Sequence, residues 1–351
     1  MSTKVTASPK LFIGMDIHKK SWKLHFCTDL TIGNGKTFPP NAQELFRYTR
    51  KYYPRHEVVI AYEVGCCGYT AARQFMEFGW DTYVVNPADI PRPAKLGVAK
   101  TDKIDARNIA AQLRAGNLKK LNIPTVDREC LRSLTRRRTS LVKDFRKVKL
   151  QIKSLLLYYN VEIPEKYDNP NWSKDFIKYL KDLKWNYRTI DKAFLSILQH
   201  LDFLDVQIRD VSVSIRAYCR KYYNKDYNLL RSVPGIGSLV AAYILAEVGD
   251  IRRFTAFKQF ASYIGIIPNL YSSGESSKAI GVNPRANRTI RSLIVESAWV
   301  AVRIDPAIQL YYRKHAGLNP KACIFKVARK LLSRIYAGVK AETEYAIGVI
   351  A

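Results

Sequence analysis

Ile190, Phe194, Ile197, Leu201, Leu204, Ile208, Val211, Ile215 and Tyr218 are apolar and lie alternately four and three residues apart. An apolar position every three to four residues over such a span leaves one regular solution, a long helix whose seam packs against another helix. A second run passes through Leu131 and Leu134, then Leu141, Phe145, Val148, Ile152 and Leu155, with Arg138 interrupting it. Pro164, Asn169 and Pro170 break the chain between the two. The expected product is a coiled-coil hairpin, or a helix pair that dimerises across chains with Leu201 and Leu204 at the interface.

Ahead of the seams the period is that of strands. Lys10–Ile17 is a short apolar run, Trp22–Thr28 alternates, and a tight turn at His18–Ser21 joins them. A third short strand is expected at Lys36–Pro39, a helix at Ala42–Tyr53, and a buried strand at His56–Tyr62 ending on Glu63. A helix near Tyr69–Phe78, a strand at Asp81–Asn86 and a helix from about Thr101 to Ala115 follow. That order, β-β-β-α-β-α-β-α, is the order of an RNase H-like fold. The predicted fold class is therefore α/β plus α. A RuvC-like, RNase H-like unit spans 1–125, a basic coiled-coil helical region 126–224, and a mostly α unit 225–351.

Four acids fall on these elements. Asp16 lies in the first strand and Glu63 ends the fourth, adjacent at the centre of such a sheet. Asp102 and Asp105, three apart, share a face of the closing helix. Singly, each has an ordinary reading as a turn, an ion pair or a helix cap. Together, converging carboxylates repel unless cations neutralise them, and hard oxygen ligands in that number suit Mg²⁺ or Mn²⁺. Two such ions about 4 Å apart can hold the attacking and leaving oxygens of a phosphodiester.

The charge balance names the partner class. Lys and Arg total 58 against 30 Asp and Glu, a formal net charge of +28, and an excess of that size meets a polyanion. No apolar run reaches membrane-spanning length, and the first ten residues lack the apolar core of a signal peptide, so a cytoplasmic, nucleoid-associated protein without membrane contact is expected. Six cysteines form no C-x-x-C pair, so a structural zinc site is not expected. Nine Lys or Arg between Arg132 and Lys153 oppose the single acid Asp144. Arg132 and the run Arg136, Arg137, Arg138 are the expected phosphate contacts of this arm, against the plainer reading of a solvated face.

Further on, Val233-Pro-Gly-Ile-Gly237 resembles a helix-hairpin-helix turn, in which Gly235 and Gly237 let backbone N–H groups approach a phosphate. The alternative is a glycine turn between packed helices. Tyr271-Ser-Ser-Gly274 alone is a turn, but Lys278, Arg285, Arg288 and Arg291 follow it closely. A serine becomes a nucleophile only where something stabilises its alkoxide, and nearby cations do so.

These stretches together resemble the IS one-ten family of insertion-sequence transposases. The resemblance rests on Ile13-Gly-Met-Asp16, Tyr62-Glu63, Val84-Val-Asn-Pro87, Lys100-Thr-Asp-Lys-Ile-Asp-Ala-Arg107, Pro-Gly-Ile-Gly, Tyr263-Ile-Gly-Ile-Ile-Pro268 and Tyr271-Ser-Ser-Gly274, in the family's order. Around its second carboxylate the family usually shows an acid followed by Ala-Thr-Gly, whereas here the run is Glu63-Val-Gly-Cys-Cys-Gly68. The resemblance implies a DNA recombinase with Asp16, Glu63, Asp102 and Asp105 at the metal site and Ser273 as nucleophile. It implies donor and target DNA, a structured guide RNA, and a homo-oligomer, dimer or tetramer, in which one protomer's serine completes another's carboxylate site. Two other readings stay open on the residues themselves: a hydrolytic junction nuclease in which Ser273 is a loop residue, and a non-catalytic nucleic-acid binder.

Overall fold

Alternation along the first strands sets two faces, and both are covered. In the computed structural model, β1 (Lys10–Ile17) pairs antiparallel with β2 (Trp22–Thr28), which pairs antiparallel with β3 (Ile32–Phe38). On its other side β1 runs parallel to β4 (Glu57–Glu63), and β4 parallel to β5 (Asp81–Val85), giving the order β3-β2-β1-β4-β5. The structure describes residues 8–91, 102–169, 171–273, 276–282, 286–317 and 319–348, with 102–103, 268–273 and 276–282 as backbone alone. Two units divide the chain, Met1–Ile123 and Pro124–Ala351.

In the first unit, Leu11, Ile13 and Met15 of β1 and Ile60 and Tyr62 of β4 form one core with Leu45 of α1 (Ala42–Tyr52) and Phe75 of α2 (Thr70–Glu77). The alternate positions, with Val59, Ala61 and Val85, pack against Ile109 and Leu113 of α3 (Asp102–Arg114). Asn41 starts α1 by accepting from the backbone N–H groups of Gln43 and Glu44. The element order matches the sequence reading. The third strand is longer than predicted because Ile32-Gly-Asn-Gly has too little apolar content to read as a strand; β3 is an edge held by its ladder to β2.

The second unit is largely helical. Its long helices are α4 (Val126–Tyr158) and α6 (Arg188–Tyr222), with the short α5 (Lys174–Asp182) between them. Leu141, Val148, Ile152 and Leu156 of α4 pack with Phe194, Leu198, Leu201 and Leu204 of α6, and Phe176 and Leu180 of α5 close the cluster. The seam is thus satisfied within one chain. The expectation that Leu201 and Leu204 face a second copy is corrected: they are only 2% and 4% exposed. Helix α5 was not legible from the sequence, where only the breaks at Pro164 and Pro170 stand out.

Next come α7 (Asn224–Arg231), α8 (Ser238–Glu247), α9 (Phe257–Ile264), the hairpin β6 (Pro268–Ser273) and β7 (Ser276–Val282), then α10 (Arg288–Ile304), α11 (Pro306–Lys314) and α12 (Pro320–Ala341). Helix α8 is apolar on every side and buried by its neighbours, as an all-round hydrophobic helix must be.

Candidate active site and nucleic-acid contacts

The carboxylates of the first unit follow from strand periodicity. Leu11, Ile13 and Met15 face one core, so Phe12, Gly14 and Asp16 form the opposite row. By the same rule Val59, Ala61 and Glu63 form the matching row of β4. Met15 lies opposite Tyr62 in the parallel ladder, so Asp16 and Glu63 end neighbouring rows on the face covered by α3. Helix α3 comes unusually close. A Cβ on Gly14 would stand 2.2 Å from the carbonyl oxygen of Ala106 and 2.2 Å from the amide nitrogen of Ala110. Only glycine permits this backbone-on-backbone contact, and it sets α3, the helix that carries Asp105, directly on the strand that carries Asp16.

Asp16 hydrogen-bonds His18 Nε2 at 3.2 Å, with 22% of its side chain and 52% of the histidine's exposed. His18 was not singled out from the sequence, although its place two residues after Asp16 in the hairpin turn was visible there. In the turn after Glu63, the Cys67 thiol contacts the carbonyl oxygen of Ile17 at 3.8 Å. Burial pushes that thiol up, and the neighbouring Cys66 and the Asp16 carboxylate add to the shift. Asp102 begins α3, but its side chain lies outside the described residues. Among the described residues, no group of three or more His, Cys, Asp or Glu side chains is close enough to hold a metal ion. The donor chemistry nevertheless fits a hard divalent cation, since the two strand-end acids present oxygen on one face.

Ser273 ends β6, in a ladder pairing it with Ser276, Ser272 with Ser277 and Tyr271 with Lys278. The sequence reads this stretch as a turn, and the ladder makes it the end of a strand. Side chains of Ser273 and Lys278 lie outside the described residues, as do Gly274 and all of Arg285. Arg288 opens α10, exposed, and Arg291 lies one turn on, 3.3 Å from where a Gly265 Cβ would be. Asn287 caps that helix, accepting from the backbone N–H groups of Thr289 and Ile290.

The arginines of α4 divide. Arg132 is largely buried, donating to the carbonyl of Ala246 at 3.2 Å at the end of α8. Arg136 grips Glu247 with two hydrogen bonds, at 2.9 and 3.2 Å, and Arg138 donates to Ser212 Oγ at 2.8 Å. Three of the four thus brace α4 against α8 and α6, and Arg137 is exposed. Glu247 is the hub that sequence reasoning missed, with its carboxylate 12% exposed and also accepting from Asn287 Nδ2 at 3.3 Å. No local signal marks it, because its partners lie far off in sequence.

At the Pro-Gly-Ile-Gly turn, Gly235 has φ +83° and its absent Cβ would stand 2.2 Å from the Ser297 carbonyl oxygen, so this glycine seats α10. Gly237 is open and caps α8 without a side-chain hydrogen bond. The turn serves packing at the first glycine and leaves backbone N–H groups accessible at the second.

A family profile described as "Transposase" matches residues 13–161, and one described as "Transposase IS116/IS110/IS902 family" matches residues 227–313. A Sinorhizobium fredii protein bearing a transposase name is 29% identical over 280 residues, covering 79% of this chain and 67% of its own. The transposase for insertion sequence element IS1111A of Coxiella burnetii is 26% identical, with 73% and 71% covered. The pilin gene-inverting protein of Moraxella lacunata is 27% identical over 343 residues, with 94% and 96% covered.

Proposed function

The chain belongs to the IS110 family of transposases, DNA-recombining enzymes of insertion sequences, and from that membership we propose a two-part mechanism: serine-mediated strand exchange supported by a carboxylate-held divalent metal. The observation that supports it most is the α3-facing pair Asp16 and Glu63 on adjacent strand ends, with α3, the helix that carries Asp105, set on the same strand by the Gly14 contact. The sheet is read as an RNase H-like, RuvC-like domain.

The Ser273 hydroxyl attacks a phosphodiester phosphorus and gives up its proton. The bond from phosphorus to the 3′ oxygen breaks, that oxygen leaves as a 3′-OH, and the 5′ phosphate stays on serine. Attack by another strand's 3′-OH reverses the chemistry and restores the serine. One phosphoester replaces another at each step, so no external energy source is needed. Mg²⁺ or Mn²⁺, when bound, neutralises charge developing on the phosphoryl oxygens. Asp16, Glu63, Asp102 and Asp105 supply its ligands. Arg288 and Arg291, with Lys278 and Arg285, favour the alkoxide and the phosphate.

Donor and target DNA are the substrates, a structured RNA directs their choice, and the protein works as a dimer or tetramer. The buried seam is not the contact between copies; the outer face of α6 exposes Phe203, Val206 and Val213 at 58%, 51% and 57%. Inversion of a segment, the act named for the Moraxella relative, is the same exchange performed within one molecule.

The test is recombination of a donor–target junction in Mg²⁺, followed by denaturing electrophoresis and peptide mapping of any protein–DNA adduct. An adduct on Ser273, absent in Ser273→Ala and kept in Ser272→Ala, is the expected result. Strand exchange by Ser273→Ala overturns serine catalysis and leaves water as the attacking group.

A further inference from the structure

The first unit has a concave site at the opposite end of its sheet from the acids. Strands β1, β4 and β5 run parallel, so their starts lie together, and Asp16 lies about 20 Å along β1 from Lys10 at roughly 3.3 Å per residue. A cleft of about 360 Å³ opens at those starts, lined by Lys10, Arg50, His56 and the rings of Phe46, Phe78 and Trp80. The rings form one mutually packed group, with centroids 4.5 Å apart for Phe46–Phe78, 5.6 Å for Phe78–Trp80 and 6.1 Å for Phe46–Trp80. Phe46 and Phe78 are half-buried, so part of each ring is open to the cleft, and Arg50 and Lys10 are exposed.

We infer that this cleft binds an unpaired nucleobase of a nucleic-acid strand, with the base against Phe46 and Phe78 and its phosphate on Arg50 or Lys10. The volume falls within the roughly 300–1,000 Å³ of small-molecule sites, and an aromatic wall beside cations is how single strands are held without a sequence code. Lys10 and Arg50 bring positive charge to the rim beside these rings, which a purely apolar occupant would not use and a phosphate would. Two carboxylates also line the cleft; Asp81 is ion-paired to Lys120, and Glu57 can accept from an exocyclic amino group. A duplex hides its base faces in the stack, so the occupant is unpaired. The inference is independent of the serine mechanism and needs no catalysis.

The test uses the full chain and fluorescein-labelled oligonucleotides in anisotropy titrations: a duplex, the same duplex with an unpaired DNA loop, and with an unpaired RNA loop. Phe78→Ala is expected to weaken binding to the looped probes about 5- to 100-fold while leaving duplex affinity within about twofold. The larger loss of the two loops identifies whether RNA or DNA is the source. An abasic substitution in the loop supplies the second arm: it should weaken binding to wild type and have little further effect on Phe78→Ala. Should Phe78→Ala lose its fold by circular dichroism, the exposed Arg50→Glu takes its place, with a loop-selective loss expected. Equal losses on duplex and loop, or abasic effects unchanged by either variant, overturn the site.

Discussion

Carboxylates in the two units are treated in opposite ways. Asp305, between α10 and α11, is 0% exposed and accepts from the backbone N–H groups of Ala307 and Gly348, from Arg334 and from the Tyr345 hydroxyl. Burial alone pushes its carboxyl up, but those hydrogen bonds, led by Tyr345, and the Arg334 charge hold it below its ordinary value. Tyr345, half-buried and bonded to Asp305, is pushed up to about 12. Asp16 sits at a strand end, keeps 22% of its side chain open, and hydrogen-bonds a half-exposed histidine. A carboxylate saturated by protein donors is a structural part. One at a strand end that stays partly open to solvent is reachable by a ligand, which is the role proposed for Asp16.

The contrast breaks most sharply under substitution. Asp16→Ala and Asp105→Ala should each lower DNA strand cleavage by about 10²–10³-fold or more while the melting temperature holds. Asp305→Ala should reverse the pattern, costing about 3–5 kcal/mol because Arg334 is left largely buried without its partner. Cleavage assays and denaturant titrations on the three variants decide it; equal destabilisation by all three would erase the distinction.

A smaller but still large effect is expected in the seam. Leu201→Ala or Leu204→Ala should cost about 2–5 kcal/mol each, read as a shifted denaturation midpoint. Sedimentation should show no change of assembly at concentrations where the variants stay folded, since these residues pack within the chain. Next come the arginines. Arg136→Gln should cost about 1–3 kcal/mol by leaving Glu247 underpaired. Arg137→Gln should leave stability unchanged and lower the slope of log K against log salt by about 0.7–0.9 on DNA or RNA. An unchanged slope would assign Arg137 to solubility.

The smallest effect is a pH difference between units. His25 in β2 is buried, its Nε2 has no hydrogen-bond partner among the described residues, and burial followed by the Arg107 charge lowers its pKa. The unfolded chain therefore binds the extra proton first, so the first unit loses stability as pH falls through about 6.5, until the lower folded value is reached. Asp305, with its depressed pKa, protects the second unit until pH falls below about 4. Hydrogen exchange over β2 and over α12 at pH 7.5 and 5.5 should show protection falling only in β2.

Periodicity made much of this visible beforehand. The strand carrying Asp16, the strand ending on Glu63 and the helix opening at Asp102 are where alternation and capping placed them, because a buried face leaves no choice of register. The second β-sheet was hidden: Pro268-Asn-Leu-Tyr-Ser-Ser has no apolar alternation, so the hairpin depends on cross-strand pairing that sequence does not display. The partners of the arginines were hidden for a related reason. Glu247 and Ser212 lie more than seventy residues from Arg136 and Arg138, and nothing local announces them. Whether the seam closed in one chain or two was likewise undetermined, since an apolar stripe specifies a partner face and not whose face it is.

Gly14 is, in engineering language, a metal-to-metal stop. A helix ordinarily rests on a strand through side chains, which are compliant spacers that can rotate or be exchanged without moving the frame. Here the carbonyl of Ala106 rests on the strand itself. Adding one methyl group would lift the helix by roughly 1 Å or more, given the normal separation of non-bonded atoms. Asp105 would ride up with it, and in the proposed mechanism a displacement of that size costs about a hundredfold in rate. The seat of α3 on β1 is thus set by a dimension that mutation in the surrounding core cannot tune, and that a single step at this position destroys.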